Sequence, residues 1–160
     1  MTEGLEEAVH QFLALRRIAV AGVSRNGKGV GNLIYRKLRA AGYHVFALNP
    51  NAREVEGSVS YPDIRSIPGG VEGVIVATRP TVSAAVVRDC AENKVPWVWP
   101  HRSFGNGSVS EEVLRLCREH GIRVIGGACP MMYCPPVDFG HACVKWILRL
   151  TGGLPRPGAS

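Results

Sequence analysis

The sequence predicts a doubly wound α/β fold, a Rossmann-like parallel sheet between two helical layers in a three-layer αβα arrangement. Three observations lead there. Short apolar runs without polar alternation, Ile18-Ala19-Val20-Ala21 and Val74-Ile75-Val76-Ala77, have the character of strands buried on both faces. Amphipathic segments at helical spacing alternate with such runs along the chain. The first run ends at Gly22 in a glycine-rich loop that leads directly into a helix.

Each element reads from its own residues. Residues 5–16 carry apolar positions 5, 8, 9, 12, 13 and 15, a helical stripe that suits an N-terminal extension packed on the core. Arg17 to Ala21 is the first strand, and NLIYRKLRAAG is a helix on the spacing of Leu33, Ile34 and Leu38, closed by Gly42. Tyr43 to Leu48, Val71 to Thr78, Val95 to Trp99 and Ile122 to Ile125 follow as strands. Helices lie between them over Pro80 to Asn93, entered through proline, and Ser110 to His120, with Ser110 as N-cap. The stretch NPNAREVEGSVSYPDIRSIPGG has no long periodicity and is expected to be a long connection with one short strand and one helical turn. Past CPMMYCPP, the segment VDFGHACVKWILRL has helical spacing, and TGGLPRPGAS reads as a frayed end.

A chain of 160 residues, 46% hydrophobic and 20% charged, is sized for one domain, with the core at about 14–136 and the terminal helices as extensions. No apolar run approaches the roughly 20 residues of a membrane span. Glu3, Glu6 and Glu7 stand where a secretion signal would be basic, so the expected compartment is the cytoplasm. Five unevenly spaced cysteines, at 90, 117, 129, 134 and 143, are expected to be reduced thiols. The net charge of +6, with 15 Arg and 4 Lys among 13 acidic residues, attracts anions without forming a basic run. That pattern favours a phosphorylated small ligand over nucleic acid.

In such sheets the ligand crevice lies beyond the carboxyl ends of the strands, where strand order reverses. The turn Gly22-Val23-Ser24 is therefore the first candidate site, its following helix offering N–H groups to a phosphate, with Arg25 and Lys28 as counter-charge. Gly22-x-x-x-x-Gly27-Lys28 resembles a nucleotide phosphate loop, but Gly29 replaces the Ser or Thr that holds magnesium there. Gly27-x-Gly29-x-Gly31 is likewise not the dinucleotide fingerprint, and the second strand ends Ala47-Leu48-Asn49-Pro50 without an acid for a ribose hydroxyl.

Four stretches occur in order: IAVAGVSRNGKGVGN at the first turn, ALNPN followed by Arg53 and EVEGSVSYPDI, VIVATRP, and VIGGACP. Over roughly residues 14–136 they resemble the CoA-binding domain proteins, whose fold is similar to the N-terminal domain of the succinyl-CoA synthetase α subunit. The resemblance implies coenzyme A lying across the crevice. Its pyrophosphate would sit on Gly22, Val23, Ser24 and Arg25, and its 3′-phosphate beside the loop of Asn49, Pro50 and Arg53. Thr78, Arg79 and Pro80 would line the floor. His101 falls in a segment that contacts the ligand in the family, and Cys129 and Pro130 would lie towards the pantetheine thiol. A polyanion needs arginine, and the lack of an acid directly after the second strand spares the 3′-phosphate repulsion. Arg53 also reads as a solvated loop residue.

The remaining chemistry-bearing residues admit plainer readings. Cys129 suits either a mixed disulfide with a ligand thiol or a small buried hydrophobe. Cys129, Cys134, His141 and Cys143 supply soft ligands, but not in the paired spacing of zinc sites, so no metal is expected. Cys90 and Cys117 fall within helices and read as core. Trp97 and Trp99 share a strand face, for adenine stacking or core packing, and Met131-Met132-Tyr133 suits an acyl mouth or an anchor for the tail.

No Ser-His-Asp order and no paired carboxylates at strand ends are evident, so no catalytic residue is assigned. The expectation is a binding, carrier or regulatory protein for coenzyme A or an acyl-CoA, with no nucleic-acid or membrane partner. Two alternatives stay open: an NADP-dependent oxidoreductase with Asn51 and Arg53 at the 2′-phosphate, and a thiol sensor using Cys129 and Cys134. Whether the chain forms a homodimer is open at this level.

Overall fold

A computed structural model of the chain describes residues 2–102, 107–126 and 128–133. Four α-helices, α1 (Thr2–Leu13), α2 (Val30–Ala40), α3 (Pro80–Glu92) and α4 (Glu111–Glu119), accompany seven strands. These are β1 (Arg17–Ala21), β2 (His44–Leu48), β3 (Glu54–Val55), β4 (Ser58–Tyr61), β5 (Gly73–Val76), β6 (Trp97–Pro100) and β7 (Arg123–Val124). They form one sheet in the order β3-β4-β2-β1-β5-β6-β7. Every pair is parallel except β3 with β4. The chain leaves β1 for β2 on one side and returns through β5 on the other. The order therefore reverses between β1 and β5, the place where a sheet of this kind is expected to open a ligand crevice beyond its carboxyl ends.

The expected doubly wound α/β fold is the fold observed, and its physical basis is two cores, one on each face of the sheet. Strand side chains alternate, so Ile18 and Val20 of β1 point to one face while Ala19 and Ala21 point to the other. The first face is covered by α1 through Leu5, Val9 and Phe12 and by α2 through Ile34, Tyr35 and Leu38. The second is covered by α3 through Ala84, Val87 and Cys90 and by α4 through Val113, Leu116 and Cys117. Trp97 and Trp99 face the first core, where both indoles meet the Phe12 ring edge-on, with centroids 6.2 and 5.2 Å away. This is core packing, and it takes both rings out of contention for stacking a ligand base.

The structure departs from the sequence reading mainly between β2 and β5. The long connection holds two strands rather than one, the hairpin β3–β4, followed by the 3₁₀ turn Ile64–Ser66 capped by the Asp63 carboxylate. Only two residues of β3 pair, and a strand that short leaves no period to read. Because β3 runs antiparallel at the edge, the sheet is mostly rather than wholly parallel. The expected strand 122–125 shortens to two residues, and the next pairing is an isolated bridge between His101 and Ala128. The helix expected over VDFGHACVKWILRL lies outside the described residues. Among the described residues no helix is long and apolar enough to cross a membrane.

Candidate functional site at the carboxyl edge of the sheet

The crevice is built on two backbone contacts that only glycine allows. Gly22, at the end of β1, has φ +100°, and a Cβ there would stand 2.3 Å from the Ala77 carbonyl oxygen at the end of β5. Gly31, in the first turn of α2, faces Gly22 in turn: its Cβ would lie 2.4 Å from the Gly22 carbonyl oxygen. The ends of β1 and β5 and the start of α2 are thus in direct backbone contact. The third glycine of the Gly27-x-Gly29-x-Gly31 run is therefore a packing residue, a role its spacing does not disclose.

Asn32, fully buried, organises the loop between β1 and α2. Its Oδ1 accepts the Ser24 backbone N–H at 2.9 Å and lies 2.9 Å from the Ser24 hydroxyl. Its Nδ2 donates to the Ser24 carbonyl at 2.9 Å and to the Glu56 carboxylate at 2.7 Å. Both donors and the acceptor oxygen of the carboxamide are in use, as a buried amide requires. Glu56 also accepts Arg36 Nη1 at 2.8 Å, and Arg39 donates to the Glu56 carbonyl at 3.0 Å. The hairpin turn is in this way clamped to α2. Sequence reading assigned neither Asn32 nor Glu56, because their meeting joins residues 24 positions apart. The local signal was a polar residue among the apolar positions of a first helical turn.

The Glu56 carboxyl is held below its ordinary value. The Asn32 hydrogen bond is the leading cause, with the Arg36 hydrogen bond and charge adding to it against the opposing effect of burial. A carboxyl depressed in the folded state contributes stability that is present above its unfolded pKa and is lost as pH falls through the folded value. The melting temperature is therefore expected to fall as pH drops below about 4.5, the ordinary value for this group. Glu56→Gln is expected to lessen that dependence in thermal melts taken from pH 7 to pH 3, the part that remains coming from Glu72 and Asp63, which are also held below their ordinary values by hydrogen bonds.

The other sequence-predicted residues line the same edge. Val23 turns its side chain into the first core, fully buried, and its carbonyl accepts Asn49 Nδ2 at 2.9 Å, which ties the end of β2 to the glycine turn. Ser24 is engaged by Asn32, whereas Arg25 and Pro50 are exposed. Arg53 is exposed just before β3, its carbonyl accepting the Ser60 N–H at 2.9 Å. The Thr78 hydroxyl pairs with that of Ser83 at 2.9 Å, and Arg79 and Pro80 start α3 with exposed side chains. His101 follows β6, its N–H bonded to the Val76 carbonyl and its own carbonyl accepting from Ser108.

Cys129 and Pro130 sit beneath this edge rather than on it. Cys129 is 1% exposed, in the core with Trp99 and Met132, and Pro130 opens the buried 3₁₀ turn Pro130–Met132. A thiol must reach the surface to exchange with another thiol. Of the two readings of Cys129, its burial fits the small buried hydrophobe rather than a thiol open to exchange. Met131 and Met132 are buried with it, as anchors rather than a mouth. Cys134, His141 and Cys143 lie outside the described residues. Cys90 and Cys117 are core thiols, and burial pushes both up, Cys117 to about 11.

Several cations lie along this edge. Among the described residues, the side chains of Arg25, Lys28, Arg53 and Arg79 have no ion-pair or hydrogen-bond partner, nor do those of Arg16, Arg65 and Lys94, whereas Arg36, Arg88 and Arg115 are all paired with carboxylates. The first four cations come from the loops after β1, β2 and β5, three neighbouring strands. Helices α2 and α3, which flank the switch point, start without a side-chain cap, whereas Ser110 caps α4 through the Val113 N–H at 3.2 Å. Uncapped first-turn N–H groups and unpartnered cations both favour an anion. Glu56, which meets the loop through Asn32, is paired with Arg36 at 2.8 Å, and the exposed Glu54 follows Arg53 directly.

A family model described as CoA binding domain matches residues 16–135. The chain belongs to the CoA-binding domain family. It is 27% identical over 130 residues to the uncharacterized protein YneT of Bacillus subtilis, covering 81% of this chain and 88% of that protein. It is 25% identical over 118 residues to an ADP-forming acetate–CoA ligase of Archaeoglobus fulgidus, covering 70% of this chain but spanning only 17% of the ligase. Among solved structures it is similar to a conserved hypothetical protein of Pyrococcus furiosus. That match has a TM-score of 0.63 and 32% identity, over 71% of this chain and 95% of that one.

Proposed function

We propose that this CoA-binding domain protein holds coenzyme A or an acyl-CoA across the carboxyl edge of its sheet, in a binding, carrier or regulatory role. The observation that carries the reading is the set of cations, Arg25, Lys28, Arg53 and Arg79, left without partners among the described residues along one edge. Coenzyme A is a polyanion whose phosphates lie at two separated places, a pyrophosphate and a 3′-phosphate. In this reading the pyrophosphate rests on the loop of Gly22, Val23, Ser24 and Arg25 at the uncapped start of α2. The 3′-phosphate takes Arg53 beside Asn49 and Pro50, Thr78, Arg79 and Pro80 form the floor, and His101 marks the pantetheine side. Cys129 and Pro130 support that side from below.

Calorimetric titration with coenzyme A, dephospho-coenzyme A, NADPH and ATP tests it. The wild-type protein is expected to bind coenzyme A, and Arg53→Glu to weaken that binding by about tenfold to a hundredfold, the worth of a charge-assisted phosphate contact. Binding of dephospho-coenzyme A, which has no 3′-phosphate, should change much less. Binding of NADPH with no binding of coenzyme A would overturn the proposal in favour of a dinucleotide ligand.

A further inference from the structure

We propose that Glu56 is a positioning residue of the phosphate turn, acting through Asn32. The inference builds on the coenzyme A reading, because it concerns how the loop that would take the pyrophosphate is held. A carboxamide fits its pocket in two orientations that differ by exchange of oxygen and nitrogen. With Oδ1 towards the Ser24 N–H, all contacts are favourable; with the group turned over, Nδ2 would face that N–H and Oδ1 would face both the Ser24 carbonyl and the Glu56 carboxylate. An ionised carboxylate only accepts hydrogen bonds, so Glu56, 2.7 Å from Nδ2, admits the first orientation and rejects the second. The chosen orientation fixes the Ser24 peptide from both sides, at N–H and at carbonyl. Arg25 follows directly and takes its direction from that peptide.

The backbone at Glu56 supports the same conclusion. Glu56 has φ 51° and Gly57 φ 71°, so both central residues of the β3–β4 turn are left-handed. Asn, Asp or Gly take that conformation readily, whereas a longer side chain such as Glu is disfavoured there. Strain of this kind persists where the surroundings hold it in place. Here the hold comes from Asn32 and Arg36 on the carboxylate and from Arg39 on the Glu56 carbonyl. The same hairpin begins immediately after Arg53, so one carboxylate links the loop offered to the pyrophosphate with the segment offered to the 3′-phosphate.

Two neutral substitutions separate orientation from charge. Glu56→Gln and Glu56→Leu remove the same negative charge, but only Gln keeps an oxygen, directed by Arg36, that accepts from Asn32. Coenzyme A and dephospho-coenzyme A, both of which carry the pyrophosphate, are titrated into each variant at a temperature where all are folded. Glu56→Leu is expected to bind both ligands roughly tenfold more weakly than Glu56→Gln, the loss that follows when a buried amide loses its partner. Asn32→Asp, which sets two carboxylates together and turns a second oxygen to the Ser24 carbonyl, should also weaken both, and adding Glu56→Gln to it should recover only the part due to the carboxylate pair. If Glu56→Leu fails to fold, that second pair carries the test. A lowered melting temperature with equal affinities for the Leu and Gln variants would overturn the proposal and leave the coenzyme A reading intact. No binding by the wild-type protein would overturn that reading and, with it, the role assigned to Glu56.

Discussion

Gly31→Ala is expected to destabilise the protein by about 3 kcal/mol and to lower its melting temperature by roughly 6–12 °C. The direction runs against helix propensity. In an exposed helix the same change stabilises by about 1 kcal/mol, because alanine loses less backbone freedom. Here the new Cβ would stand 2.4 Å from the Gly22 carbonyl oxygen and 2.7 Å from its carbonyl carbon. Neither atom can swing away as a side chain can, because Gly22 is itself held against the Ala77 carbonyl. The first turn of α2 must therefore move off the sheet, opening the loop that carries Ser24 and Arg25. Thermal denaturation followed by circular dichroism checks the stability, and a variant as stable as wild type would contradict the close approach of these backbones.

Trp99→Ala is expected to cost about 3–5 kcal/mol, the range for emptying a large aromatic site in a packed core. Trp99 is fully buried, meets Phe12 edge-on at 5.2 Å and lies 6.0 Å from the Tyr133 ring. Its Nε1 donates to the Ala128 carbonyl at 3.0 Å, which pins the segment after β7 under the crevice. Trp99→Phe separates volume from hydrogen bonding. It keeps an aromatic ring, and the Ala128 carbonyl still accepts the Arg102 N–H at 3.1 Å, so the expected loss is nearer 1–2 kcal/mol. Denaturant melts of the two variants measure the difference, and equal losses would place the energy in the hydrogen bond rather than in the packing.

Most of the fold was legible because its signals are local. The apolar runs of β1 and β5 have side chains buried on both faces, so they read as continuous hydrophobic stretches. The helices α3 and α4 announce their starts with Pro80 and Ser110. The hairpin β3–β4 was not legible, since two paired residues beside a Glu-Gly turn carry no period and no favoured turn pair. The candidate site divides in the same way. Gly22, Arg25, Asn49, Arg53 and Thr78 follow strand ends and can be placed by counting from the apolar runs. Asn32 and Glu56 cannot, because neither has a recognisable role until α2 and the hairpin are packed together.

The layering and the strand and helix order could be read from the chain alone, because burial on two faces and the handedness of parallel connections leave few ways to wind it. How the turn after β1 is held, and which residues of that edge face outward, depended on packing between distant segments. Cys129 and the two tryptophans went to the core, Gly31 became a backbone contact, and Glu56 came to rest on Asn32. Each of those outcomes depends on a neighbour distant in the chain and closer than about 6.5 Å in space, and periodicity along the chain carries no information about such neighbours.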